Sequence, residues 1–179
     1  AGAGAAMLAA LQHKDAGRVR EAYDAYTRVL AQAPSELAYI RRALLSQADA
    51  TLPPTAAADV AAARPLVSDH SKTVTHFALA ATEAGVKAGR YGEVLADCAD
   101  AARRGVDDDA VHFNCGRSRM MDSLSRGMRR QITPEERDRG YAAALAELRR
   151  AKKLNPALAP KVEPLEKQLE SLLAPKTAA

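Results

Sequence analysis

The chain has 179 residues, 47% of them apolar, with five tyrosines, two phenylalanines and no tryptophan, and a formal net charge of +4. That length suffices to bury a core, its abundant alanine favours closely packed helices over strands, and so small a charge gives no argument for nucleic acid. No apolar run approaches the roughly 20 residues that span a bilayer, and the opening AGAGAAMLAALQHK lacks the basic segment of a secretory signal.

The chain starts on alanine rather than methionine, as an excised domain or processed chain would, with AGAG readable as a linker remnant. A first helical segment, AAMLAALQHKDA, precedes GRVREAYDAYTRVLAQAP, Gly17 to Pro34. In the latter, Ala22, Tyr26 and Val29 fall on one helical face, and Pro34 stops the helix. SELAYIRRALLSQADA follows, then TAAADVAAARPLV, where Pro53 and Pro54 open a helix with Val60 and Ala63 on its inner face and Pro65 disturbs its end. SDHSK, Ser68 to Lys72, sets serine, aspartate, histidine and lysine side by side. Neighbours in a loop cannot face one another as a catalytic triad does, so it reads as a linker. VTHFALAATEAGVKA then leads into GRYGEVLADCADAARRGV, Gly89 to Val106, with Val94, Cys98 and Ala101 in the anchor positions.

The remaining chain reads as one elongated hairpin. Asp107, Asp108 and Asp109 suit a helix start, and a helix runs from about Asp109 to Arg129. TPEE, Thr133 to Glu136, is a second start signal, with a capping threonine, a first-turn proline and two carboxylates. That helix runs from Pro134 to about Leu154 and carries Ala144, Leu148 and Ala151 as anchors. The tip, near Gln131, collects Arg126, Arg129, Arg130, Arg137 and Arg139 against Glu135, Glu136 and Asp138, with no aromatic among them for stacking on bases. It reads either as a solvated, salt-bridged surface or as an arm for an acidic protein or phosphates. Beyond Pro156, Val162, Leu165, Leu169, Leu172 and Leu173 form one stripe. They suit a helix that covers the end of a repeat array, or one that binds another protein.

The anchors Ala22, Ala56, Val94 and Ala144 lie 34, 38 and 50 residues apart. Each anchored helix follows another helical segment, and Gly17 and Gly89 stand where a tight turn needs a permissive backbone. An ordinary helical bundle with coincident spacing is the competing reading. A hairpin period near 34 residues resembles the tetratricopeptide repeat, and Gly17, Ala22, Tyr26, Pro34, Gly89, Tyr91, Ala144, Ala151 and Pro156 match that family's turn glycine, small, aromatic and terminal proline positions. The resemblance implies an all-α fold of stacked antiparallel helix-turn-helix hairpins, a solenoid of about four repeats over 1–158, closed by a capping helix over 159–174 and a tail over 175–179. It also implies a concave binding face on the first helices, formed by Met7, Leu11, Arg41, Leu45, Leu79, Glu83, Phe113, Arg117 and Met120. Asn114 and Arg117 are all that matches the family's clamp for a terminal carboxylate, which disfavours tail binding of that kind.

No catalytic constellation emerges. His13, His70, His76 and His112 lack paired metal spacing, and the acidic run at 107–109 lacks the other ligands of a calcium loop. No phosphate loop and no cofactor are expected. Two cysteines make no disulfide framework, so buried free thiols in a reducing, cytoplasmic setting are expected. Cys98 and Cys115 bond only if their backbones come within about 7 Å. The functional expectation is a non-enzymatic module binding a protein or peptide, with Arg129 and Arg130 of the tip as further contacts. Self-association remains open, and the alternative is a regulatory or oligomerisation segment of a larger enzyme or secretion complex.

Overall fold

A computed structural model describes residues 3–69 and 71–174; His70 of the SDHSK linker and the expected tail over 175–179 lie outside them. The described residues are all-helical and contain no strand. The chain divides into two compact units, Ala1–Ala84 and Gly85–Ala179.

The first unit holds α1 (Ala3–Asp15), α2 (Val19–Leu30), α3 (Glu36–Ala48), α4 (Ala56–Ala63) and most of α5 (Val74–Lys87). The loop between α1 and α2 is too short for anything but an antiparallel return. It turns at Gly17, whose φ of 69° is open to glycine at little cost. Gly89 takes the same conformation, with φ 68°, ahead of α6. The expected anchors Ala22, Tyr26 and Val29 are all buried, packed with Ala10, Ala25 and Ala38. Alanines on facing helices let the backbones approach, and the Tyr26 ring fills the space they leave. Its burial pushes the phenol above its usual pKa range.

The α3–α4 pair is held by an ion pair that composition does not reveal. Arg42 donates through Nε to Asp59 Oδ2 at 2.9 Å and through Nη2 to Asp59 Oδ1 at 2.6 Å. It also donates to Thr27 Oγ1 at 3.2 Å and lies 5.8 Å from the centre of the Tyr23 ring. One guanidinium thereby joins α2, α3 and α4. Gln47 Nε2 donates to the Ala80 carbonyl at 2.8 Å, tying α3 to α5. Pro53 and Pro54 lie ahead of Thr55, the N-cap of α4, rather than in its first turn, and Pro65 closes α4 into a 3-10 turn over Arg64–Leu66.

The second unit contains α6 (Tyr91–Arg103), α7 (Asp109–Met128), α8 (Pro134–Leu154) and α9 (Ala159–Leu173). The elongated hairpin is present as α7 and α8, because both starts are chemically specified. The Asp108 side chain accepts from the Ala110 and Val111 amides at 3.0 Å each. Thr133 Oγ1 accepts from the Glu136 amide at 3.2 Å while Glu136 Oε2 accepts from the Thr133 amide at 2.7 Å, a reciprocal capping box. Leu148, Val162 and Leu169 are fully buried and form a core with Tyr141, Leu145 and Met120. Thus α9 lays its apolar stripe along α8, except that Leu172 turns outward.

The thiol expectation is corrected. Cys98 on α6 and Cys115 on α7 are joined in a disulfide, with their Cα atoms 5.8 Å apart, and neither is a free thiol. The reason is geometric: packing of α6 on α7 brings the two core-facing positions within bonding reach. The cytoplasmic expectation rested on unpaired thiols, and the disulfide removes that ground. Because the bridge spans 17 positions, replacing both cysteines by alanine should lower stability by about 3 kcal/mol. Urea unfolding of that variant beside the oxidised protein checks the figure, and equal midpoints would show that the bond constrains nothing.

Candidate functional site: the tip of the long hairpin

The base of the α7–α8 hairpin is a network of charges. Asp107 Oδ1 accepts from Arg150 Nε at 2.8 Å and lies 2.9 Å from His112 Nε2, while His112 Nδ1 lies 2.5 Å from Glu147 Oε2. The Arg150 hydrogen bond, seconded by His112, holds the Asp107 carboxyl at about 2 against an ordinary 3.8. A depressed carboxyl pKa favours the folded state above the ordinary value, and that contribution is lost as pH falls through about 2. Asn155 Nδ2 donates to Asp109 Oδ2 at 2.7 Å and closes the same end. These contacts tie α7 to α8 at the end of the hairpin opposite its tip.

At the tip, α7 ends in a left-handed cap. The Gln131 amide donates to the Arg126 carbonyl at 2.9 Å and the Arg130 amide to the Gly127 carbonyl at 3.1 Å, the two bonds of a Schellman closure. The residue that takes the left-handed conformation is Arg130, with φ 55°. An L side chain there costs energy that glycine does not incur. Arg130→Gly should therefore gain about 0.5–1 kcal/mol. A urea midpoint that falls instead would show that the guanidinium itself stabilises the turn.

Arg137 is held by its neighbours, including an aromatic beyond the arginine cluster. Its guanidinium carbon lies 5.9 Å from the centre of the Tyr141 ring, its Nη2 is 2.8 Å from Asp138 Oδ1, and its stem packs beside Gly127. The spacing of four residues between Arg137 and Tyr141 is the signal for this contact. Arg126 pairs with Asp122 at 3.6 Å, and Arg129, Arg130 and Arg139 are exposed.

Beside these arginines is an apolar surface. Met121, Leu124 and Met128 follow one another on α7 at spacings of three and four and so share one helical face, with Met121 and Leu124 half-buried against the core that holds Met120. Met128 is 78% exposed, and Leu172 of α9 is 39% exposed. A cleft of about 280 Å³ lies among Leu124, Gly127, Met128, Arg137, Tyr141 and Leu172. A second, along α7, is lined by Met121, Leu124, Ser125, Met128 and Arg129. Among the residues lining these two clefts the only charged ones are Arg129 and Arg137. A third cleft nearby differs in character, with Arg119, Arg126 and Arg139 set against Asp122 and Glu136.

The expected partner-binding residues fall into three groups. Met120 is only 6% exposed and belongs to the core of the second unit, and its neighbour Met121 is half-buried and packs against that core. Leu45 and Phe113 are half-buried and pack against the cores of their own units. Met7, Leu11, Arg41, Leu79, Glu83 and Asn114 are half-buried, and Arg117 is exposed. Arg129 and Arg130 are exposed at the tip as expected. Sequence reasoning missed Met121, Leu124, Met128 and Leu172; the spacing of the first three was the available signal. Among the described residues, no group of three histidine, cysteine, aspartate or glutamate side chains is placed to hold a metal ion, and no helix is long and apolar enough to cross a membrane.

Comparison with protein-family models, with curated proteins and with solved structures gives no match to this chain.

Proposed function

We propose that the chain is a non-enzymatic protein-interaction module, built of helical hairpins of the tetratricopeptide kind, that engages a partner protein through the tip of its α7–α8 hairpin. The observation that carries this reading is the exposed Met128 in line with Met121 and Leu124 and beside Leu172, around an open cleft. A single exposed methionine is ordinary on a soluble protein, whereas several apolar side chains grouped around a concavity mark a contact surface. The surface lies at the end of the hairpin opposite the charged base, where Tyr141 of the unit's core lines the cleft. Methionine supports the role chemically, since its flexible, polarisable chain adapts to the shape presented to it. The fold-level resemblance supports the same class, because repeat hairpins of this kind bind other proteins.

The test is site-specific photo-crosslinking in the full chain. A photoreactive amino acid in place of Met128 should form an adduct with a discrete protein in an extract of the source cells, and one in place of exposed Ala146 on α8 should not. Excess unlabelled wild-type chain should compete the adduct away, and excess Met128→Asp should fail to. Equal labelling from both positions, or none from Met128, would overturn the tip as a docking surface.

A further inference from the structure

We infer that the occupant of the tip is an amphipathic helix of a partner protein whose flanks are acidic, an inference that rests on the tip being a docking surface. The span from Met121 to Met128 is seven positions, about 10.5 Å at the α-helical rise. A partner helix presents apolar side chains at i, i+3 or i+4 and i+7 over that same length, so two turns of it match the stripe. An extended strand finds no free sheet edge here, since the described residues contain no strand.

Charge selects the flanks. The two apolar clefts share Leu124 and Met128, and the charged side chains that line them are Arg129 on one side and Arg137 on the other. Asp138 and the Tyr141 ring hold Arg137 in place before any partner arrives, which lowers the ordering cost of contact. Arg130, next in the chain, adds a third guanidinium in a backbone conformation that a glycine would adopt at lower cost. Glutamate or aspartate on either side of an apolar stripe meets this rim, and lysine there is repelled. A second copy of the same chain is disfavoured on the same ground. A two-fold contact places the same patch on both partners, and so brings two rims that each carry Arg129 and Arg137 together with no acidic flank between them.

The experiment measures fluorescence anisotropy with the full chain and a labelled synthetic helix of about 16 residues, long enough to present the apolar stripe over more than two turns, with glutamates on both flanks. A second peptide carries lysine in place of every glutamate. A parallel arm uses phosphatidylcholine vesicles containing one quarter phosphatidylglycerol. The acidic peptide should bind at least about tenfold tighter than the basic one, and Arg129→Glu with Arg130→Glu should weaken it about tenfold at low salt and less at high salt. Met128→Asp should weaken it by about tenfold or more. Circular dichroism confirms that the variants keep their helix content. If both peptides bind equally and Met128→Asp weakens both, the docking surface stands and the acidic class is overturned. If neither binds, or if Met128→Asp changes nothing, the docking surface falls as well. Vesicle binding that needs Met128, with no peptide binding, overturns the proposal in favour of an anionic membrane surface.

Discussion

Replacing Asp59 with alanine should destabilise the protein by about 3–5 kcal/mol, a cost typical of removing one partner of a buried ion pair. The Asp59 side chain is 2% exposed and that of Arg42 is 16% exposed. Two hydrogen bonds and full charge complementarity offset the desolvation of both groups while the pair is intact. Those bonds to Asp59 push the Arg42 guanidinium above its ordinary pKa range, and even without them a guanidinium stays charged near neutral pH. Alanine at 59 then leaves a cation at the junction of α2, α3 and α4, with only Thr27 Oγ1 and the Tyr23 ring still beside it. The expected result is a large fall in the urea midpoint for Asp59→Ala, and a substantially smaller one when Arg42→Met is added, because the double variant strands no charge. A loss below about 1 kcal/mol in the single variant would put the pair in the class of exposed ion pairs and remove its structural role.

Leu148→Ala should cost about 2–5 kcal/mol, the range for emptying a fully buried leucine site. Leu148 is 0% exposed and sits among Met120, Tyr141, Ala144, Val162 and Leu169. It also occupies the space over Gly116, where an added Cβ would come within 2.8 Å of Leu148 Cγ. This close approach of α7 and α8 is what makes the site costly to empty: the facing glycine has no side chain to move into the cavity, and the disulfide at neighbouring Cys115 limits the shift of α7. Thermal melts check the value, at roughly 4–8 °C for each kcal/mol in a unit of this size. Leu148→Met, which nearly conserves volume, should lose less than about 1.5 kcal/mol. No difference between the two substitutions would place Leu148 at the surface.

What the sequence made legible was local chemistry. The caps at Asp108 and Thr133 are set by a few adjacent residues, and the starts of α7 and α8 agree with the expected Asp109 and Pro134. The anchor spacing was legible too: Ala22, Tyr26, Val94, Cys98, Ala144 and Leu148 are all buried. What stayed hidden depends on neighbours brought together by the fold. Nothing in the alanine-rich sequence around Asp59 points to Arg42, which reaches it from α3. Cys98 and Cys115 read as thiols until α6 and α7 are set side by side. Met120 was expected on a binding face by resemblance to the repeat, and its burial follows only once the core around Tyr141, Leu148 and Leu169 is assembled.

The Cys98–Cys115 bond has a consequence for the connectivity of the molecule. It makes the α6–α7 turn a closed covalent ring, which includes Arg103, Arg104 and the three aspartates at 107–109. The side chain of Arg103 is 70% exposed, so the ring offers proteases a susceptible bond. A single cut inside the ring opens the backbone without separating any piece of the protein, and the hairpin stays tethered to everything before it. A cut outside positions 98–115 is not bridged by the bond. The bond thus makes nicking harmless to continuity at the turn that leads into the long hairpin, and gives no such protection elsewhere in the chain.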